Sequence, residues 1–111
     1  MKVGYARVSS SGQNLNSQIE ALELIGCKKI FTEKKSGKQY DNRIELQNAI
    51  DFVRENDTLI VTRLDRCSRN VKDLHTIIET LNNKKVNFKA TNQDIDTSTS
   101  AGRLMIGLLS I

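Results

Sequence analysis

An arginine and a serine stand two residues apart near the start of the chain, in Tyr5-Ala6-Arg7-Val8-Ser9. On a β-strand this spacing sends both side chains to the same face, about 7 Å apart. A helix that begins just after Ser9 would direct its free N–H groups and the positive end of its dipole at whatever Ser9 touches. Arg7 would add the planar donors that suit phosphate oxygens. Ser9 could therefore bind a phosphate or attack it; alternatively, Ser9 is a helix cap and Arg7 a surface arginine.

A second basic cluster lies in Asp65-Arg66-Cys67-Ser68-Arg69. Arg66 and Arg69 are three residues apart, which places them on one face of a helical turn. Asp65 could orient a guanidinium group or donate a proton. Neighbouring arginines repel one another unless an anion lies among them, so the cluster favours a phosphate site over a solvated surface group. His75, the only histidine, falls in a helical stripe and is predicted to be a boundary residue, and no GxxxxGK[ST] or GxGxxG motif is present.

The length of 111 residues predicts one domain with a core of its own, and the net charge of +4 favours a nucleic-acid partner only weakly. No apolar run approaches the roughly 18 residues of a membrane span. The N-terminus lacks a signal-peptide pattern, so we expect a cytoplasmic protein without a membrane partner.

The sequence does not predict a cross-linked or metal-bound structure. Cys27 and Cys67 are too few for a disulfide framework. Asp94 and Asp96 alone do not predict a metal site.

Strand and helix signals alternate four times along the chain. The predicted strands are residues 2–9, 27–32, 57–64 and 85–91, and a helix follows each of them, beginning near residues 10, 42, 70 and 100. Ser10 and Gln13 form a capping-box pattern, and Asn42 and Asn70 are typical N-caps. Gly26 is a typical C-cap.

The same alternation predicts an α/β fold with a mainly parallel sheet of four to five strands flanked by helices. The apolar stripe of the second helix predicts that Ile44 is buried, Val71 belongs to the apolar stripe of the third helix, and residues 92–100 are predicted to be a polar loop. Ligands of such sheets bind outside the carboxyl ends of the strands. Ser9 and residues 65–69 both fall at such ends, so the two groups of chemically active residues are expected to converge.

Four segments together resemble the catalytic domain of the serine recombinases, the resolvase/invertase family. They occur in the family's order and at its spacing, and they are GYARVS (4–9), FTEKKSG (31–37), NR (42–43) and LDRCSRN (64–70). The resemblance spans essentially the whole chain. It implies a resolvase-like fold with flavodoxin-like topology.

The resemblance also implies site-specific recombination of double-stranded DNA, with Ser9 as the nucleophile. Ser9 would attack a phosphodiester, become joined to the 5′ phosphate and release a 3′ hydroxyl. Reversal of the attack would rejoin the exchanged strands without ATP or a metal cofactor. Arg7, Arg66 and Arg69 would cradle the scissile phosphate, and Asp65 would orient them or act as a general acid. The positions that would support the site or bind DNA phosphate are Tyr5, Gln13, Gln18, Ser36 and Arg43.

Two features depart from the family's pattern. Cys67 stands where the family usually has an aliphatic residue, and we expect a small buried substitution there. Family members also continue through a long helix, which starts here near residue 100, into a DNA-reading helix-turn-helix domain. We therefore expect residues 1–111 to be a catalytic domain cut within its dimerisation helix. It would fold and bind DNA weakly alone, whereas dimers, tetramers and recombination would belong to the full-length protein.

Two other classes of function fit the same residues. A non-catalytic flavodoxin-like module could bind a phosphorylated small ligand at these arginines, and a regulator could need only self-association. A covalent DNA adduct at Ser9 would distinguish a recombinase from both. Whether the enzyme resolves, inverts, integrates or transposes depends on the DNA-reading part and on the arrangement of its sites.

Overall fold

The computed structural model describes residues 1–8, 15–34, 43–68, 70–93 and 95–108. The strands in these ranges are β1 (Lys2–Val8), β2 (Lys29–Lys34), β3 (Thr58–Val61), β4 (Asn87–Ala90) and β5 (Ile95–Asp96). The helices are α1 (Leu15–Leu24), α2 (Ile44–Phe52), α3 (Val71–Asn83) and α4 (Ser100–Leu108). Short 3₁₀ turns follow β3, at Leu64–Arg66, and β4, at Thr91–Gln93.

The strands form one sheet in the order β2-β1-β3-β4-β5. All neighbours are parallel except β4 and β5, which are antiparallel. This confirms the predicted α/β fold with a mainly parallel sheet, and the strand order is that of flavodoxin-like sheets. β1 pairs with β2 from Val3 to Val8, but it pairs with β3 only from Lys2 to Gly4. Beyond Gly4, the side of β1 that faces β3 is therefore left without a strand partner.

β1 lies between β2 and β3 and buries side chains on both faces of the sheet. Val3 and Tyr5 belong to the larger core, which α2 and α3 cover. Ala6 clusters with Leu22 of α1 on the opposite face. Because side chains alternate along a strand, Arg7 leaves β1 on the same side as Tyr5. An arginine at the end of a buried strand requires polar partners, and these define the candidate site below.

Two local expectations about helix ends are confirmed. Gly26 has φ of +95° at the end of α1, a conformation that glycine adopts without strain. The Asn70 side chain accepts a hydrogen bond from the Asp73 N–H at 2.8 Å and so caps α3. At α2 the N-cap position is Arg43, and Asn42 lies outside the described residues. The predicted capping box at residues 10–13 also lies outside them.

Other local expectations were wrong. Ile44 is 54% exposed, because it is the first residue of its helix and lies at the margin of the core; Val71, the first residue of α3, is 42% exposed for the same reason. The second strand begins at Lys29 rather than at residue 27. The loop predicted for residues 92–100 contains β5, whose two residues are held by antiparallel pairing with β4.

Of the helices that the structure describes, none combines the length and the apolar character that a bilayer span requires.

Candidate active site

The structure describes six of the ten residues predicted for the site. They are Tyr5, Arg7, Gln18, Arg43, Asp65 and Arg66. Five of them contact one another or the turn that follows β3, whereas the sixth, Tyr5, is held by Glu33. The other four lie outside the described residues, and their roles stay predictions; they are Ser9, Gln13, Ser36 and Arg69.

The buried Arg7 side chain holds the turn that follows β3. Its Nε donates to the carbonyl of Arg66 at 3.0 Å, and its Nη2 donates to the carbonyl of Asp65. A guanidinium group presents several donors in one plane, so it can bridge two consecutive carbonyl groups. The end of β1 and the Leu64–Arg66 turn are thereby fixed relative to one another, as the convergence of the two sequence clusters predicted.

Gln18 of α1 takes the place of a strand beside the end of β1. Its Oε1 accepts from the backbone N–H of Arg7 at 3.3 Å, and its Nε2 donates to the backbone carbonyl of Arg7 at 3.0 Å. These are the two groups that β3 leaves unpaired when it separates from β1 after Gly4. A buried backbone group without a hydrogen-bond partner is costly in free energy. By pairing both groups, Gln18 keeps Arg7 in a strand conformation.

Arg66 is held more loosely than Arg7. Its Nη1 lies 3.5 Å from the carbonyl oxygen of Arg7, at the limit of a hydrogen bond, and its buried Nε has no hydrogen-bond partner among the described residues. Arg63 and Arg66 line an open cavity of about 310 Å³ together with Thr62 and Asn92. The described residues that line it include no carboxylate and two guanidinium groups. Arg63 is paired with Asp65, whereas Arg66 has no ion pair with a described residue, so the cavity favours an anion on the side of Arg66.

The Asp65 carboxylate contacts Arg63, at 3.3 Å from its Nε, and both side chains are more than half exposed. Such exposed ion pairs contribute little to stability. The contact of Asp65 with Arg7 is made by its backbone carbonyl instead. The carboxyl group therefore stays accessible to a ligand that approaches the turn.

Arg43 contacts the same turn from the side of α2 and α3. Its Nη1 donates to the carbonyl of Cys67 at 2.6 Å, and its guanidinium forms a bidentate ion pair with Asp73 of α3. Gln93 adds a further contact, because its Oε1 accepts from the Leu64 N–H at 2.7 Å. Asp73 and Gln93 could not be identified from the sequence, since neither stands in a recognisable motif.

Glu33 is a further residue that the sequence analysis missed. It is 4% exposed, its Oε1 accepts from the Tyr5 hydroxyl at 2.6 Å, and its Oε2 accepts from the Glu45 N–H at 3.1 Å in the first turn of α2. Burial, assisted by this hydrogen bond to Glu33, raises the pKa of Tyr5 well above its ordinary value. Glu33 begins a polar and charged run in the sequence, which hides its place on the strand. The available signal was its spacing of two from Phe31, a partly buried residue of β2 that packs against the core.

Among the described residues, no group of three or more acidic, histidine or cysteine side chains is arranged to hold a metal ion. Asp96 has another use, since its Oδ1 accepts from both the N–H and the hydroxyl of Ser98. The hydroxyl contact is the main reason why the pKa of Asp96 lies below its ordinary value. Asp94 lies outside the described residues.

Cys67 is fully buried, as expected for a small substitution beside the turn. Burial raises the pKa of its thiol to about 12, so about one molecule in 10⁴ is ionised at pH 8. We expect a Cys27→Ser variant to show almost no reaction with a thiol-specific disulfide reagent when folded, and one reactive thiol in urea. Cys27 is half-buried, so the unaltered chain should react at one thiol in the folded state. Rapid reaction of folded Cys27→Ser would contradict the burial of Cys67.

The chain is similar to known proteins over nearly its whole length. The family model described as "Resolvase, N terminal domain" matches residues 2–111. The chain is 46% identical over 112 residues to the transposon Tn552 DNA-invertase BinR of Staphylococcus aureus, an alignment that covers 99% of the chain and 58% of that protein. It is 45% identical to the transposon Tn552 resolvase of the same organism, covering 99% of the chain and 56% of the resolvase.

Among solved structures, the N-terminal catalytic domain of TP901-1 integrase superposes with a TM-score of 0.71 at 30% identity. That superposition covers 99% of this chain and 92% of the other. The chain thus spans a little more than half the length of the two curated relatives and nearly all of a solved catalytic domain. The chain belongs to the serine recombinase family, the resolvases and invertases, and corresponds to their N-terminal domain.

Proposed function

We propose that this chain is the catalytic domain of a site-specific recombinase that cuts and rejoins double-stranded DNA through a covalent bond between Ser9 and a 5′ phosphate. The observation that carries the proposal is the bridge from Arg7 to the carbonyls of Asp65 and Arg66. It brings together the end of the strand that leads to Ser9 and the turn that bears the second basic cluster. Family membership supplies the reaction class.

In the proposed reaction the Ser9 hydroxyl oxygen attacks the scissile phosphorus, and the bond from phosphorus to the 3′ oxygen breaks. The serine proton passes to solvent water as the new bond forms, and the 3′ oxygen departs as a hydroxyl after taking up a proton. Asp65 is the candidate donor of that proton, after its exposed carboxylate has taken one up from solvent. Arg66, beside the anion-favouring cavity, and Arg69 stabilise the added negative charge of the transition state. Arg7 contributes by holding the turn in place.

We further propose that the active form is a dimer or tetramer on DNA. Three apolar side chains of α4 are about half exposed or more in the single chain, and they are Leu104, Met105 and Leu108. Exposed apolar groups on one helix favour a partner surface. The long helix, dimers and tetramers that the family resemblance implies agree with this.

The test is to trap the covalent intermediate. The chain is fused to a zinc-finger domain of known target, because DNA reading is expected to lie in another domain. The fusion is incubated with duplexes that carry two inverted finger sites, so that two copies are held side by side on one DNA. These duplexes are nicked beside the cleavage position, so that the released fragment diffuses away and rejoining fails. We expect labelled DNA that stays with the protein after denaturation, and a nucleotide attached to the Ser9 peptide by mass spectrometry.

Two serine variants make the test specific. Ser9→Ala is expected to abolish the adduct, and Ser98→Ala, an exposed serine before α4, is expected to retain it. An adduct that survives Ser9→Ala would refute the assignment of the nucleophile. Stoichiometric binding of a phosphorylated small molecule with no adduct would favour the non-catalytic module instead.

A further inference from the structure

A buried ion pair joins α3 to the residue that precedes α2. The guanidinium of Arg43 donates from Nη1 to Oδ2 of Asp73 at 2.7 Å and from Nη2 to Oδ1 at 3.0 Å. The two side chains are 14% and 11% exposed. Two parallel charge-assisted hydrogen bonds fix the orientation of the guanidinium as well as its position.

This pair reaches the turn that follows β3. Arg43 Nη1 also donates to the carbonyl of Cys67 at 2.6 Å. Cys67 comes directly after Arg66, whose own carbonyl, with that of Asp65, is held by Arg7. Consecutive carbonyls of the turn are therefore held by two arginines, Arg7 from the side of β1 and Arg43 from the side of α2 and α3.

Asp73 is itself firmly placed. It lies in the first turn of α3, and its N–H donates to the capping side chain of Asn70. For Arg43 to reach a DNA phosphate, its guanidinium would have to leave a buried carboxylate and a carbonyl. Leaving a buried charge without its partner is far more costly than losing an exposed pair. The contacts thus favour Arg43 as a structural link to the turn over Arg43 as a ligand of DNA.

We propose that Asp73 is a positioning residue of the recombination site, which acts through Arg43 to fix the turn that carries Asp65 and Arg66. Arg43 then serves the site through the turn, without contacting DNA phosphate. This inference rests on the proposed function.

The first arm of the test measures the rate of adduct formation in the zinc-finger fusion. Arg43→Ala and Asp73→Ala are each expected to slow it about a hundredfold, since a small displacement of a catalytic group has effects of that order. The double variant is expected to be no slower than either single variant, because both remove one shared link. Asp51→Ala, which removes an exposed aspartate from α2, is expected to leave the rate unchanged.

The second arm measures DNA binding against salt concentration. Loss of one phosphate contact lowers the slope of log K against log salt by about one. We expect the slope to stay the same in Arg43→Ala and in Asp73→Ala. If Arg43→Ala lowers both the slope and the rate while Asp73→Ala changes neither, Arg43 is a phosphate ligand and the inference is wrong.

A slower rate in the single variants could come from a displaced turn or from a less stable fold. A double variant that keeps its stability distinguishes the two causes. Arg43→Met with Asp73→Leu replaces the ion pair by apolar groups, a change that often leaves stability intact. With an unchanged melting temperature, its rate is expected to stay as low as that of the single variants. Adduct formation by this variant at the original rate would overturn the inference.

A third readout needs no DNA reaction. The N–H groups of Cys67 and Ser68 both donate to the Leu64 carbonyl at 3.1 Å. In Asp73→Asn these amides are expected to lose protection from hydrogen exchange, while those of β4 keep theirs. Unchanged protection would overturn the inference. The two proposals can also fail separately. If the unaltered protein gives no adduct but Asp73→Asn still loses protection, the proposed function is refuted and the link from Asp73 to the turn remains supported.

Discussion

Replacing Gly102 with alanine is expected to lower the free energy of unfolding by about 3 kcal/mol, the upper part of the range for overpacked sites. A Cβ at Gly102 would lie 1.8 Å from the carbonyl oxygen of Asp96 and 2.5 Å from its carbonyl carbon. Both atoms belong to the backbone of β5, so no side-chain rotation can relieve the overlap. Either α4 or β5 must move.

The corner between β5 and α4 resists such a movement. The Thr99 hydroxyl donates to the Asp96 carbonyl and accepts from the Gly102 N–H, both at 2.9 Å. Arg103 Nη1 donates to the carbonyl of Thr97 at 2.9 Å. Displacing the helix would break these bonds and withdraw Ile106 from the core. We therefore expect loss of α4 docking rather than a local adjustment.

Gly107 provides the matched control, because it lies in the same helix and a Cβ there would meet no atom of the described part of the chain within 4 Å. Gly107→Ala is expected to be neutral or to stabilise the domain by up to about 1 kcal/mol, through helix propensity alone. Urea unfolding followed by circular dichroism measures both variants. Equal stability of Gly102→Ala and Gly107→Ala would contradict the close approach of α4 to β5.

Features that depend on neighbouring residues were predictable from the sequence. The cap at Asn70 and the C-cap at Gly26 follow from patterns within a few residues, and both occur as expected. β5 has only two residues and depends on antiparallel pairing with β4, so its own sequence carries no sufficient signal. The exposure of Ile44 and Val71 likewise could not be predicted, because it depends on where the core ends, and helical periodicity contains no information about that boundary.

The candidate site shows the same division. Strand parity predicted that Arg7 leaves β1 on the side of Tyr5, and the topology rule predicted that the turn after β3 lies nearby. The same parity prediction for Ser9 falls outside the described residues. The partners of Arg7 could not be predicted, because they are backbone carbonyls 58 and 59 residues further along the chain. The contact of Gln18 could not be predicted either, because it depends on the exact register of the sheet. Since β3 separates from β1 after Gly4, the backbone groups of Arg7 are available to Gln18.

Glu33→Ala is expected to lower the free energy of unfolding by about 3 kcal/mol, since each hydrogen bond to a buried charged group contributes about 1.5–3 kcal/mol. The substitution leaves the buried Tyr5 hydroxyl and the Glu45 N–H without the acceptors they now have. It also separates β2 from the first turn of α2, the two elements on either side of residues 35–42. Relief of the desolvated carboxylate offsets part of this loss.

A double-mutant cycle tests whether Tyr5 and Glu33 act as one unit. Tyr5→Phe alone is expected to cost about 1.5 kcal/mol, because Glu33 keeps its contact with α2 but loses one donor. Combined with Glu33→Ala it should cost little more than Glu33→Ala alone, since the stranded hydroxyl is gone. Glu55→Ala, an exposed carboxylate paired with Lys85, should change stability by no more than about 0.5 kcal/mol. If the effects of the Tyr5 and Glu33 substitutions were simply additive, the hydroxyl and the carboxylate would not be coupled, and Tyr5 would support β1 by packing alone.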